Sequence, residues 1–84
     1  MDAYYFTFHS MTQAQTAASL LQRYGISAKF LRAPKAISST GCGYAVQTGL
    51  NNAYDAINIL RHAGVIPRRI FRTAGSGNIM EVSL

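Results

Sequence analysis

Two alanine-rich stretches of matching build constrain this chain more than any other feature. Ala14, Ala17, Ala18, Leu21 and Tyr24 recur at helical spacing up to Gly25, and Ala53, Ala56, Ile57, Leu60 and Ala63 do so up to Gly64. Each stretch predicts an amphipathic helix that must lay its apolar face on another layer, and alanines allow that layer to come close. Ser10, with Gln13 three residues on, is a capping-box start for the first helix, and Asn51 can cap the second. Gly25 and Gly64 are the stops.

Strand-like segments surround both helices. Tyr4, Phe6 and Phe8 alternate with Tyr5, Thr7 and His9, and Ile26, Ala28 and Phe30 alternate with Ser27, Lys29 and Leu31. Tyr44 to Thr48 reads as a third strand that Gly49 ends. Val65 to Thr73 reads as a fourth, where Pro67 argues for an edge position or a bulge. After a turn at Ala74-Gly75-Ser76-Gly77, Ile79 to Ser83 is expected to return as a fifth, giving a terminal hairpin over residues 65–83. The order strand, helix, strand, strand, helix, strand predicts an α+β fold, the ferredoxin-like plait (βαββαβ). Two helices then cover one face of a mostly antiparallel sheet, with the first and third strands central and an extra C-terminal strand. The other face, carrying Tyr5, Thr7, His9, Lys29, Leu31 and Gln47, is expected to be open or to pair with a second copy.

At 84 residues, residues 1–84 form one small domain, and a chain of this size buries roughly 60–65% of the surface its unfolded form exposes. No apolar run approaches the roughly 20 residues that span a bilayer, and the N-terminus lacks the pattern of a secretory signal. The expectation is a cytoplasmic protein. Cys42 is the single cysteine, so neither an intramolecular disulfide nor a thiol-rich metal site can form, and neither metal nor cofactor is expected. The net charge of +5 rests on Arg23, Lys29, Arg32, Lys35, Arg61, Arg68, Arg69 and Arg72 against Asp2, Asp55 and Glu81, and suits an anionic partner. Arg68, Arg69 and Arg72 read either as a docking patch for an acidic partner or as a solvated basic strand. His62, near the end of the second helix, complements the helix dipole and is assigned no chemistry.

Chemistry concentrates in the connection Ala33-Pro34-Lys35-Ala36-Ile37-Ser38-Ser39-Thr40-Gly41-Cys42-Gly43. Pro34, Ser38, Ser39 and Thr40 favour turns. Gly41 and Gly43 strip bulk from around the thiol and permit positive φ, so that consecutive amides can converge on an anion such as a thiolate. An ordinary thiol, with a pKa of about 8.5, is only a few per cent ionised at pH 7. Amides around Gly41 to Tyr44 are expected to supply most of the activation, with Lys35 and Arg32 assisting. A hydrogen bond to a charged acceptor contributes roughly 1.5–3 kcal/mol, whereas a solvated cation contributes about 0.2–1 kcal/mol. His9, at the end of the first strand, is a candidate base for Cys42. The bland alternative is a buried cysteine beside a hydroxyl-rich turn.

The chain resembles a family of small bacterial proteins described as selenium/sulfur carrier-like, formerly a domain of unknown function. The resemblance spans nearly the whole length. It rests on Thr7-Phe8-His9-Ser10, on Gly25-Ile26, on the loop from Pro34-Lys35 and Ile37-Ser38-Ser39 to Cys42-Gly43, and on the helix ending at Gly64. By that resemblance Cys42 bears the transferred sulfur or selenium and Gly43 is its characteristic neighbour. Sulfur or selenium donor and acceptor proteins are then its partners. Lys35 stands where arginine is expected, which keeps the charge and loses the bidentate fork. The implied protein is a carrier more than an enzyme, for no complete catalytic constellation accompanies the cysteine.

Two other readings compete. The plait is also the architecture of the RNA recognition motif, and Gly43-Tyr44-Ala45-Val46 looks like a fragment of its third-strand signature, with Tyr5 as a base-stacking candidate. Cys42 stands in the place of the motif's basic residue, however, and Val46 in that of its second aromatic. The third reading is a regulatory or assembly domain that dimerises through the open face. A carrier must fail on Cys42→Ser, an RNA binder on Tyr5→Ala and with salt, and an assembly module on charge placed at Thr7 or Leu31.

Overall fold

The strands predicted from alternation pair into one antiparallel sheet in the computed structural model, which describes residues 3–38, 43–74 and 78–84. In chain order they are β1 (Ala3–Phe8), β2 (Ala28–Arg32), β3 (Tyr44–Gly49), β4 (Arg69–Ala74) and β5 (Asn78–Val82), and across the sheet they run β2-β3-β1-β4-β5. Helices α1 (Met11–Arg23) and α3 (Ala53–His62) pack on one face, and α2 (Lys35–Ser38) is a single turn between β2 and β3. The architecture is the ferredoxin-like plait with an added strand. β1 and β3 are central, and β5 forms the terminal hairpin with β4.

The core lies where the alternation puts it. Phe6, Phe8, Val46 and Ile70 on the sheet meet Ala14, Ala17, Leu21, Ile57 and Leu60 on the helices. Each large apolar side chain removed from water there contributes about 1.5–3 kcal/mol. Ser10 Oγ accepts from the Gln13 amide at 3.3 Å, as the capping signature predicts. Both glycine stops take the left-handed conformation, Gly25 at φ 80° and Gly64 at φ 76°. The two ends share one hydrogen-bond pattern: Ile26 N–H reaches the Leu21 carbonyl at 3.0 Å and Val65 N–H reaches that of Leu60 at 2.9 Å.

Several boundaries differ from the sequence expectation. Asn51 does not cap α3; it lies in a 3-10 turn, Leu50–Asn52, and Asn52 stands at the N-cap without a side-chain bond. Ile26 and Ser27 precede β2, since Ile26 is engaged in closing α1. Val65 to Arg68 is a connection and β4 begins at Arg69, so Pro67 marks no bulge within the strand. β4 is also interior, between β1 and β5. A residue without an N–H is accommodated before the ladder starts, where no donor is required. Tyr24, expected on the buried face of α1, is 65% exposed because it sits at the C-cap, where the chain turns away. Ala63, at the C-cap of α3, is likewise exposed. Of the expected turn Ala74-Gly75-Ser76-Gly77, Ala74 is instead the last residue of β4, paired with Asn78, and Gly75, Ser76 and Gly77 lie outside the described residues. Among the described residues no helix is long and apolar enough to cross a membrane.

Candidate functional site

One end of the sheet collects the residues that the sequence singles out. β1 finishes at Phe8 opposite Tyr44, and Arg32 pairs with Tyr44 from the other side. Continued by one residue, the register aligns His9, Gly43 and Ala33, and the Ala33 amide donates to the Gly43 carbonyl at 3.0 Å. This bond closes the mouth of the β2–β3 connection. Gly43 is the chain neighbour of Cys42, so the connection that holds the cysteine is clamped at its base next to that residue. Cys42, Gly41, Ser39 and Thr40 lie outside the described residues.

Within the connection, Pro34 accepts from the Ile37 amide at 2.8 Å, and α2 follows as a single helical turn where the sequence suggests irregular loop. Proline suits such a start, because its fixed φ is helical and its missing donor would have been unsatisfied there. Ile37 is completely buried, yet it stands apart from the core between the helices and the sheet. It anchors the connection. Lys35 is exposed and engaged in an interaction of its own. Gly43 is not in the left-handed region, and a Cβ built on it would meet nothing within 4 Å. The backbone freedom expected of it is therefore not used at that residue.

The face away from the helices is less open than alternation suggests. Tyr5, Leu31 and Gln47 are half-buried and Lys29 is exposed, but Thr7 is 0% exposed, as is Ala45 beside it. Thr7 Oγ1 donates to the Arg69 carbonyl at 3.1 Å and accepts from the Arg69 amide at 3.2 Å. Neither α1 nor α3 covers this face.

Tyr44 and Val46 face the helices. The Tyr44 ring stacks on Phe30 with centroids 6.1 Å apart and planes 14° from parallel, and the Arg32 guanidinium lies 5.8 Å from its centroid. Cation and ring thus brace the entry of β3. The third-strand aromatic that a base-stacking platform needs is accordingly turned away from the free sheet face. Arg68, Arg69 and Arg72 do not form one patch either. Arg69 pairs with Thr7 and faces away from the helices, whereas Arg72, opposite Tyr4, is on the helix side with a buried Nε lacking a partner. Alternation separates them. His62 uses Nδ1 at 2.7 Å from the Asn58 carbonyl oxygen, a contact local to its helix. Sequence reasoning missed Ile37 as an anchor and the Ala33–Gly43 bond, since a single apolar residue in a hydroxyl-rich turn carries no periodic signal.

Residues 3–72 match the model of a family described as "Putative Se/S carrier protein-like", a span that runs from the start of β1 to Arg72 in β4 and includes the whole β2–β3 connection. No curated protein and no solved structure matches the chain.

Proposed function

We propose a carrier's chemistry for Cys42 from the premise that the chain belongs to this Se/S carrier-like family. The observation that supports it best is that the family match covers the clamped connection holding the single cysteine. In the proposed cycle the Cys42 thiolate attacks the outer sulfur of a donor protein's persulfide. The sulfur–sulfur bond to the donor breaks, the donor cysteine leaves as a thiolate, and the outer atom is now bonded to Cys42. An acceptor nucleophile next attacks that atom and Cys42 leaves as thiolate. Selenium follows the same path through a selenosulfide. One atom moves in each step and no external oxidant or reductant is consumed, so a second cysteine is unnecessary.

The supporting residues take roles in keeping with their chemistry. Amides around Gly41 to Tyr44 hold the thiolate, since bonds to an ionised acceptor are the strong ones. Lys35 and Arg32 add a weaker, solvent-screened field. His9, one residue beyond β1 and level with Gly43 in the continued register, is the candidate base. Donor and acceptor proteins are the partners, and the protein acts as a carrier more than as a catalyst.

Intact-mass spectrometry after incubation with a persulfide-forming cysteine desulfurase, supplied with cysteine or with selenocysteine, tests the reading. The expected product is a single-atom adduct that reductant removes, absent in Cys42→Ser, whose melting curve stays unchanged. An unmodified chain whose thiol alkylates more slowly than free cysteine would overturn it.

A further inference from the structure

The strands place most of the positive charge at the end of the sheet from which the cysteine connection emerges. β1 and β2 end there, β3 and β4 begin there, and the last residues of α3 and β5 arrive there. Arg32, Lys35, Arg61, Arg68 and Arg69 therefore share that end, and the carboxylate of Asp55 is at the other, in the first turn of α3. The charge is polarised along the strands.

Three of these arginines line one groove of about 220 Å³, together with Glu81, Ser83 and Leu84. Arg69 Nη1 contacts Glu81 Oε1 at 2.8 Å with both side chains partly exposed, and Arg61 donates to the Leu84 main-chain oxygen. Among the described residues Arg68 has no partner for its guanidinium, while its amide is tied to the Thr7 carbonyl at 2.8 Å. The groove already holds one carboxylate in a single-point contact and keeps a guanidinium fork unoccupied. β4 is two strand spacings, about 10 Å, from the start of β3.

We propose that this groove docks an acidic segment of a partner protein, with Arg68 as the principal contact and Arg61 and Arg69 as its flanks. Carboxylates match the guanidinium fork in two parallel bonds, and a field of one sign speeds encounter with a partner of the other. Protein is favoured over nucleic acid by the placement of the aromatics. No aromatic side chain is among the residues that line the groove, and the exposed Tyr54 lies at the far end, at the start of α3, so the groove itself has no ring on which to stack a base. The docking itself rests on the groove alone. Its use, presenting a donor or acceptor to the cysteine connection, rests on the carrier reading.

Titration of the isotope-labelled full chain, reduced and without any sulfur donor, separates the two. The probes are a deca-glutamate peptide and a single-stranded deoxythymidine decamer, followed by amide chemical shifts at low salt. The peptide is expected to move the amides of Arg61, Arg68, Arg69 and Ser83. Arg68→Glu should weaken it roughly tenfold or more, while Lys29→Glu, at the other end of the sheet, should change it less than about twofold. Tighter binding of the oligonucleotide would replace the protein partner with nucleic acid. Equal losses in the two variants, or no peptide binding, would overturn the groove as a site. None of these results depends on a reactive Cys42, so a failed adduct and a failed groove remain distinguishable.

Discussion

Thr7 and Thr48 are both buried hydroxyl residues on central strands, and the structure assigns them opposite energetic roles. Thr7 Oγ1 bonds both the amide and the carbonyl of Arg69, whereas Thr48 Oγ1 has no partner among the described residues. Removing a partner from buried polar groups costs about 1–3 kcal/mol, and deleting an unsatisfied hydroxyl removes a penalty instead. Thr7→Val is therefore expected to lower the urea midpoint at unchanged slope, and Thr48→Val to leave the midpoint unchanged or raise it by up to about 1 kcal/mol in stability. Neither role is legible from the chain, where both residues are simply threonines in alternating strands. At the same scale, the proposed ranking of thiolate donors makes Lys35 a minor term. Lys35→Ala removes a cation, so the Cys42 titration seen in alkylation rate against pH should move upward, and by less than about one unit. A larger rise would put the cation ahead of the amides.

At the level of elements, the glycine stops carry the strongest prediction. Gly25 and Gly64 hold φ of 80° and 76° with open space where a Cβ would go, so substitution is opposed by backbone conformation alone. Gly25→Ala and Gly64→Ala should each cost about 1–2 kcal/mol, lowering Tm by several degrees, with additive effects in the double variant. Gly43→Ala is expected to leave Tm unchanged, because neither left-handed backbone nor crowding opposes it. A loss of sulfur loading in that variant would then report on the site and not on the fold. Helix and strand identities were readable because periods of 3.6 and 2 are local properties. Boundaries were not: Ile26 satisfies the strand alternation and is nevertheless spent on closing α1, and Asn51 has the right chemistry for a cap one residue too early.

For the whole molecule, polarity along the strands predicts a salt effect. If docking brings donor and Cys42 together, the rate of atom transfer should fall as salt rises, since screening acts on exposed charge beyond about 8–10 Å. A rate indifferent to salt would separate the basic end from the transfer step. The sheet face away from the helices mixes Lys29, Gln47 and Arg69 with half-buried Tyr5 and Leu31, and its central row is already covered within one chain. Sedimentation velocity is accordingly expected to give a monomer at micromolar concentration, unaltered by Leu31→Glu. A dimer that this change dissolves would restore the assembly reading.

The plait, its two helix stops and its central strands follow from the chain alone, because alternation, alanine spacing and glycine positions act between near neighbours. Tertiary structure decided what depends on residues far apart in sequence. Ile37 became an anchor and Ala33 a clamp on Gly43 only once β2 and β3 paired. Arg69 and Arg72, three positions apart, were sent to opposite faces by the pleat, while Arg61 and Arg68, on different elements, were brought to one groove. Charge is countable in a sequence, but the direction in which a charge points is set by the fold.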